Sequence, residues 1–388
     1  MKTLLKSSGT SWPWVNRVAR HIHDPVVRLR FLKAVVPLPQ RENRSRQRRI
    51  KRFCLLTLTI LAVALIVLIS ISRLRAAVRT PNPPAPRAVA DPIADIRIAP
   101  DVWLVEKLGE SETYSNGLRI DDRFLVATHR RSYLAFPADG GAPAQRSEPV
   151  GIVFHTTESR QAPFEARENG AIKQIGESLL EFVRRRQAYN FVIDRFGRVY
   201  RVVAEDEVAN HSGYSVWADE NWSYINLNQS FLAVSFEAVS PAAQLEAQVS
   251  PAQVHSAAML IEMLRHRYHI AASNCVTHAQ VSVNPSNMRL GYHVDWAAGF
   301  PFESMGLPDN YTTPLPSLWA YGFDYDADFT NRAGERMRAG IEMAETIVTR
   351  RSAAAGLPPA AYKSKLRQRY LQMLGRVRPT RYDDAEPE

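Results

Sequence analysis

The stretch Gly151-Ile152-Val153-Phe154-His155-Thr156-Thr157 is a short, unbroken apolar run that ends in a histidine. Bulky apolar residues without polar alternation are the pattern of a strand buried on both faces. Beyond it, Ile172, Ile175, Leu179, Leu180 and Val183 recur at helical spacing between Ala171 and Arg186, so strand gives way to helix. Tyr189 to Asp194, followed by Arg195 to Val203, reads as a hairpin turning at Gly197. Phe231-Leu232-Ala233-Val234-Ser235-Phe236-Glu237 is a second buried strand. Ser250-Pro251 opens a helix running to about Tyr268, with serine as N-cap and proline in the first turn. This order gives an α/β fold, a central mixed β-sheet flanked by helices, over residues 151–325.

His155 at the end of an apolar strand would by itself be a satisfied core histidine. Two residues far along the chain change that reading: His278 in Val276-Thr277-His278 and Asp295 in His293-Val294-Asp295-Trp296. A catalytic zinc takes three ligands from imidazole, thiolate or carboxylate and keeps a fourth position for water. One ligand on a strand with two more from distant loops suits such an open site better than the clustered ligands of a zinc finger. His293 is the alternative third ligand. Cys54 and Cys275 lie too far apart in the organisation of the chain to pair, and Cys275 reads as a buried structural thiol. His129 and His255 have no partner pattern.

The formal net charge is +10, but residues 1–52 hold 14 Lys/Arg against Asp24 and Glu42, or 14 − 2 = +12, which leaves 10 − 12 = −2 for the rest. A basic N-terminal region on a near-neutral body argues against nucleic-acid binding, which needs the basic face on the folded domain. Phe53 to Ser72 contains no charged residue. As a helix those residues would span roughly 30 Å, so 53–72 reads as a transmembrane helix. Arg41, Arg44, Arg46, Arg48, Arg49, Lys51 and Arg52 precede it and only Arg73, Arg75 and Arg79 closely follow. That asymmetry predicts a cytoplasmic N-terminus and a single-pass anchor in the inner membrane, with the folded part periplasmic. Residues 73–95 form a proline-rich spacer, 96–150 a β-rich lead-in, and 326–388 a helical C-terminal extension whose arginines are expected on a solvated face.

Four blocks, in order, resemble the zinc-dependent N-acetylmuramoyl-L-alanine amidases of the type-2 amidase and peptidoglycan recognition protein superfamily. They are the strand ending in His155; Tyr189 to Asp194 with Gly197 and Tyr200; His211-Ser212-Gly213-Tyr214-Ser215 leading through Asn228-Gln229-Ser230 into the strand ending at Glu237; and His278 with His293-Val294-Asp295 and Phe300-Pro301-Phe302. The resemblance covers roughly residues 150–305. It implies His155, His278 and Asp295 as Zn2+ ligands, Tyr189 as a contact to the reacting oxygen, Glu237 as a catalytic carboxylate, and His211 and Asn190 as substrate contacts. His293 stands where many bacterial members have a transition-state lysine, and Ser235 where they often have glycine. The segment from Asn284 to Tyr292 must fold back to bring Asp295 to His278.

The activity implied is hydrolysis of the amide between N-acetylmuramic acid and L-alanine in peptidoglycan or its muropeptides. Two other classes fit parts of the sequence: a binding module that keeps the groove without turnover, and a membrane-tethered scaffold whose terminal regions recruit partners. The presence of both Asp295 and His293 favours the enzyme.

Overall fold

The computed structural model describes residues 101–240 and 249–377. The described residues belong to one compact unit. The expected cytoplasmic region, membrane span and spacer, with residues 96–100 of the lead-in and 378–388 of the tail, lie outside the described residues. Among the described residues no helix is long and apolar enough to cross a membrane.

In chain order the strands are β1 (Leu104–Leu108), β2 (Ser111–Tyr114), β3 (Arg119–Asp121), β4 (Tyr133–Pro137), β5 (Ala144–Arg146), β6 (Gly151–Thr156), β7 (Phe191–Ile193), β8 (Val199–Arg201), β9 (Val216–Ala218), β10 (Trp222–Ile225), β11 (Phe231–Phe236) and β12 (Cys275–Thr277). The long helices are α1 (Asn169–Arg186), α2 (Pro251–Tyr268), α3 (Glu335–Ala354) and α4 (Pro359–Leu374). The main sheet has the order β1-β2-β3-β8-β7-β11-β6-β12, and a smaller sheet has the order β5-β4-β10-β9. The main sheet is mixed. β7, β11, β6 and β12 run parallel, β7 and β8 form the antiparallel hairpin, and β1 to β3 extend that edge. The lead-in therefore continues the sheet on one side and supplies half of the second sheet on the other.

The two faces of the main sheet are covered differently. Phe154, Leu232, Val234 and Phe236 share a core with Leu260, Ile261 and Leu264 of α2. On the opposite face Val192 and Tyr200 pack under Leu179, Leu180 and Val183 of α1, while Val153, Phe231 and Val276 meet Tyr133, Trp217 and Tyr224 of the small sheet. Burial on both faces is why these strands carry no polar alternation. β6 also needs a glycine where it begins: a Cβ at Gly151 would lie 2.0 Å from the Phe231 ring and 2.6 Å from the Asn274 carbonyl.

α2 starts as the sequence predicts. Ser250 accepts from the Gln253 amide, and the Gln253 side chain accepts from the Ser250 amide, a complete capping box with proline inside the first turn. The second Gln253 role is tertiary, because its amide donates to the carbonyls of Ile193 and Glu237 and ties the helix start to the ends of β7 and β11.

The C-terminal helices form as expected, but they are part of the core. Met337, Ile341, Ala344, Tyr370 and Met373 join the main apolar cluster, and the Tyr370 ring meets Tyr321 and Phe323 edge-on. The expected solvated face holds for Arg332, Arg336, Arg350, Arg351 and Arg376, which are exposed, but several tail arginines also make docking contacts. Arg336 pairs with Asp309 at 3.0 Å, Arg351 lies over the Trp319 ring, Arg367 bonds the Gly322 carbonyl and Asp324, and Arg369 donates to the Pro137 carbonyl. The polar periodicity of those helices marked docking contacts as well as water-facing positions.

Candidate metal and hydrolytic site

Register places the first two expected ligands side by side. β12 pairs with β6 so that Thr277 is level with Phe154, and the next residues in parallel, His278 and His155, therefore emerge together at the carboxyl ends of adjacent strands. Carboxyl ends of parallel strands are where open α/β sheets present their sites. The third arrives by a fold-back. Val283–Asn284 pairs with Arg289–Leu290 in a small hairpin, the Gly291 amide returns to the Ser282 carbonyl, and the Ala279 amide donates to the Asp295 carbonyl. Asn284 to Tyr292 thus folds back and brings Asp295 to His278.

The result is a compact donor set. His278 Nδ1 lies 2.7 Å from Asp295 Oδ1, and His155 Nδ1 lies 3.2 Å from Asp295 Oδ2. The ligand atoms of the three residues all fall within 4.8 Å of one another. With bonds of about 2.0–2.1 Å, ligand atoms around a tetrahedral zinc sit roughly 3.3–3.4 Å apart, so two imidazole nitrogens and a carboxylate at this spacing fit that ion. All three residues are buried, with Asp295 the most accessible at 9 %. Burial alone would raise the Asp295 carboxyl; the neighbouring His278, with the hydrogen bonds from both histidines, holds it well below the usual carboxylate range. Burial and the proximity of His278 push His155 down to about 4, so its imidazole is neutral, the form that binds metal. Cys275 is a free buried thiol whose pKa burial raises to about 12, as befits a structural residue.

The other expected residues are placed unevenly. The Tyr189 ring lies 5.1 Å from the His155 ring, and its phenol is held protonated by burial first and the Asp295 charge second. Its backbone is left-handed, φ +57°, as are those of Glu158 at +48° and Trp296 at +56°. The His293 ring stacks on His278 at 4.9 Å, and its amide donates to Ser282 Oγ. It lies outside the cluster formed by His155, His278 and Asp295.

Two placements differ from expectation. Asn190, expected to touch substrate, is completely buried; its Oδ1 accepts from Arg131 and the Ala233 amide, and its Nδ2 donates to the carbonyls of Val203 and Ala204. Every polar atom of that amide is already engaged, so Asn190 is a structural joint. Glu237 is buried, and its carboxylate accepts from the Arg195 amide and lies against Gly176 of α1. Burial raises its pKa. Its described contacts point to α1 and the β7–β8 turn and none joins the three ligands.

His211 lies on the second nitrogen of His155, with Nδ1 3.1 Å from His155 Nε2. Sequence reasoning missed what holds it there. The amides of His211 and Ser212 and the Ser212 hydroxyl all donate to Asn228 Oδ1. Arg131 donates to the carbonyls of Asn228, Gln229, Phe231 and Glu205. Asn228 stood in a recognisable block, whereas Arg131 carries no local pattern.

A cleft of about 680 Å³, lined by Arg146, Asp219, Trp222 and Asn274 among others, opens beside Val150 at the amino end of β6. None of the expected site residues lines it.

Residues 145–289 match the family described as N-acetylmuramoyl-L-alanine amidase. The match ends before Asp295, so the third ligand rests on geometry. No curated protein sequence matches the chain. Among solved structures the chain is similar to the amidase AmiD from E. coli in complex with anhydro-N-acetylmuramic acid-L-Ala-D-gamma-Glu-L-Lys, at 20 % identity and TM-score 0.36, over 61 % of this chain and 95 % of that one. It is also similar to the amidase LysC from Clostridium intestinale, at 20 % identity and TM-score 0.26, over 47 % and 93 %, and to AMPDH3 from Pseudomonas aeruginosa in complex with anhydromuramic pentapeptide, at 17 % identity and TM-score 0.31, over 47 % and 71 %.

Proposed function

We propose that this chain, whose residues 145–289 match the family described as N-acetylmuramoyl-L-alanine amidase, hydrolyses the amide between the lactyl group of N-acetylmuramic acid and L-alanine in peptidoglycan with the help of one zinc ion. The observation that carries the zinc is the convergence of His155 Nδ1 and His278 Nδ1 on the two oxygens of Asp295. Bound there, zinc would polarise the scissile carbonyl and lower the pKa of a water molecule. The remaining work falls to the chain. Asp295, held ionised, supplies a negative charge beside the two imidazoles. Tyr189, kept protonated, donates a hydrogen bond to the oxyanion that develops as the carbonyl carbon becomes tetrahedral. The proton delivered to the departing amine comes from His293, whose ring is stacked on His278, rather than from Glu237, whose carboxylate is engaged by Arg195.

The test is zinc content by mass spectrometry together with release of stem peptide from purified muropeptides. Wild type should carry one zinc per chain and release peptide. Tyr189→Phe should keep its zinc and lose about 10²–10³-fold in kcat, the usual cost of one oxyanion donor. Turnover by Tyr189→Phe equal to that of wild type would remove the tyrosine from the reaction. Muropeptide binding by a metal-free, inactive wild type would make this a recognition module.

The anchor is part of the same proposal. The charge-free run 53–72 and the basic residues before it support a single membrane pass that leaves the amidase domain in the periplasm. In spheroplasts, protease added outside should digest the domain beyond residue 100 and spare an epitope placed before residue 52. Protection of the domain would overturn this topology.

A further inference from the structure

The contact between His155 and His211 has a direction once a metal occupies the site. A metal on His155 Nδ1 leaves the ring proton on Nε2, and that N–H faces His211 Nδ1 at 3.1 Å. The two rings meet edge-on, with centroids 5.2 Å apart and planes at 82°. This is donor geometry, in which the edge of one ring addresses the in-plane lone pair of the other. His211 must then be a neutral imidazole that accepts at Nδ1.

The His211 ring is placed from behind by a continuous chain of contacts. Asn228 Oδ1 fixes the backbone of His211 and Ser212, and Arg131 fixes the Asn228 carbonyl. A ring so supported is ill suited to following a substrate.

We infer that His211 is a positioning residue, which holds His155 in the tautomer and orientation that bind metal through Nδ1, and that it is not a groove contact to substrate. The inference rests on the zinc amidase reading. Partners of this kind, on the far nitrogen of a ligating histidine, set metal affinity by about 10–100-fold.

The experiment is zinc affinity of the full-length chain in detergent, measured by competition with a chromophoric chelator for wild type, His211→Leu and His211→Asn, together with unfolding of the metal-free proteins. Leucine keeps apolar volume without an acceptor, whereas asparagine places an amide oxygen near the position of Nδ1. His211→Leu should bind zinc about 10–100-fold more weakly than wild type. His211→Asn should recover most of that loss. Three results would overturn the inference: unchanged zinc affinity in His211→Leu with only KM raised, which makes His211 a substrate contact; equal loss in both variants with equally lowered metal-free stability, which makes it a packing residue; or no zinc in wild type, which removes the premise as well. The first two leave the amidase reading standing.

Discussion

Asp295→Ala is expected to strip the site of zinc and reduce peptide release to background, whereas His293→Ala should keep stoichiometric zinc and fail only in turnover. In the sequence Asp295 is the expected third ligand and His293 the alternative, two positions apart on one segment. The fold separates them. Asp295 offers one oxygen to each histidine at 2.7 and 3.2 Å, so its removal leaves two imidazoles without a carboxylate to neutralise a dication. Loss of a ligand itself should exceed the roughly 10–100-fold cost of losing a partner behind a ligand. His293 meets His278 face to face, an arrangement that leaves both rings' nitrogen lone pairs in parallel planes instead of converging on one point. Its loss should lower kcat by about 10²–10⁴-fold, the range for a general acid or base. Zinc analysis and muropeptide turnover of both variants decide the matter. Stoichiometric zinc in Asp295→Ala with none in His293→Ala would reverse the assignment, and equal zinc in both would mean that neither is the third ligand.

The parts legible in the sequence share a physical cause. β6 and β11 are buried on both faces, so their residues are apolar without interruption; α2 announces its start because the capping box is local chemistry among Ser250, Pro251 and Gln253. His155 and His278 were readable because each directly ends or follows such a strand. What could not be read depends on contacts between distant segments. Asn190 lies inside a conspicuous block, yet its partners are Arg131, Ala233, Val203 and Ala204, and nothing local tells a joint from a substrate contact. Glu237 ends a legible strand, but the direction of its carboxylate is set by the Arg195 amide and by the absence of a side chain at Gly176. The tail helices were visible from their periodicity, while the acceptors that their arginines would find, such as the Pro137 carbonyl more than two hundred residues earlier, were not.

Arg131→Leu is expected to destabilise the domain by at least about 3 kcal/mol, because it leaves several buried acceptors unpaired at about 1–3 kcal/mol each. Arg131 is 2 % exposed and has no carboxylate among its hydrogen-bond partners. Burial lowers its pKa to about 10, so it remains charged at neutral pH, and its charge is met by five oxygens: the carbonyls of Glu205, Asn228, Gln229 and Phe231 and the Asn190 side chain. A planar fork can serve acceptors in several directions at once, which the compact lysine head cannot, so Arg131→Lys should recover only part of the loss. Because the Asn228 turn carries His211, and His211 carries His155, the damage should reach the metal: Arg131→Lys, if folded, should also bind zinc more weakly than wild type. The midpoint of urea unfolding for the metal-free proteins measures the first effect and chelator competition the second. A midpoint for Arg131→Leu within error of wild type would show that water replaces the guanidinium at little cost, and full zinc affinity in a measurably destabilised Arg131→Lys would cut the chain between the buried arginine and the site.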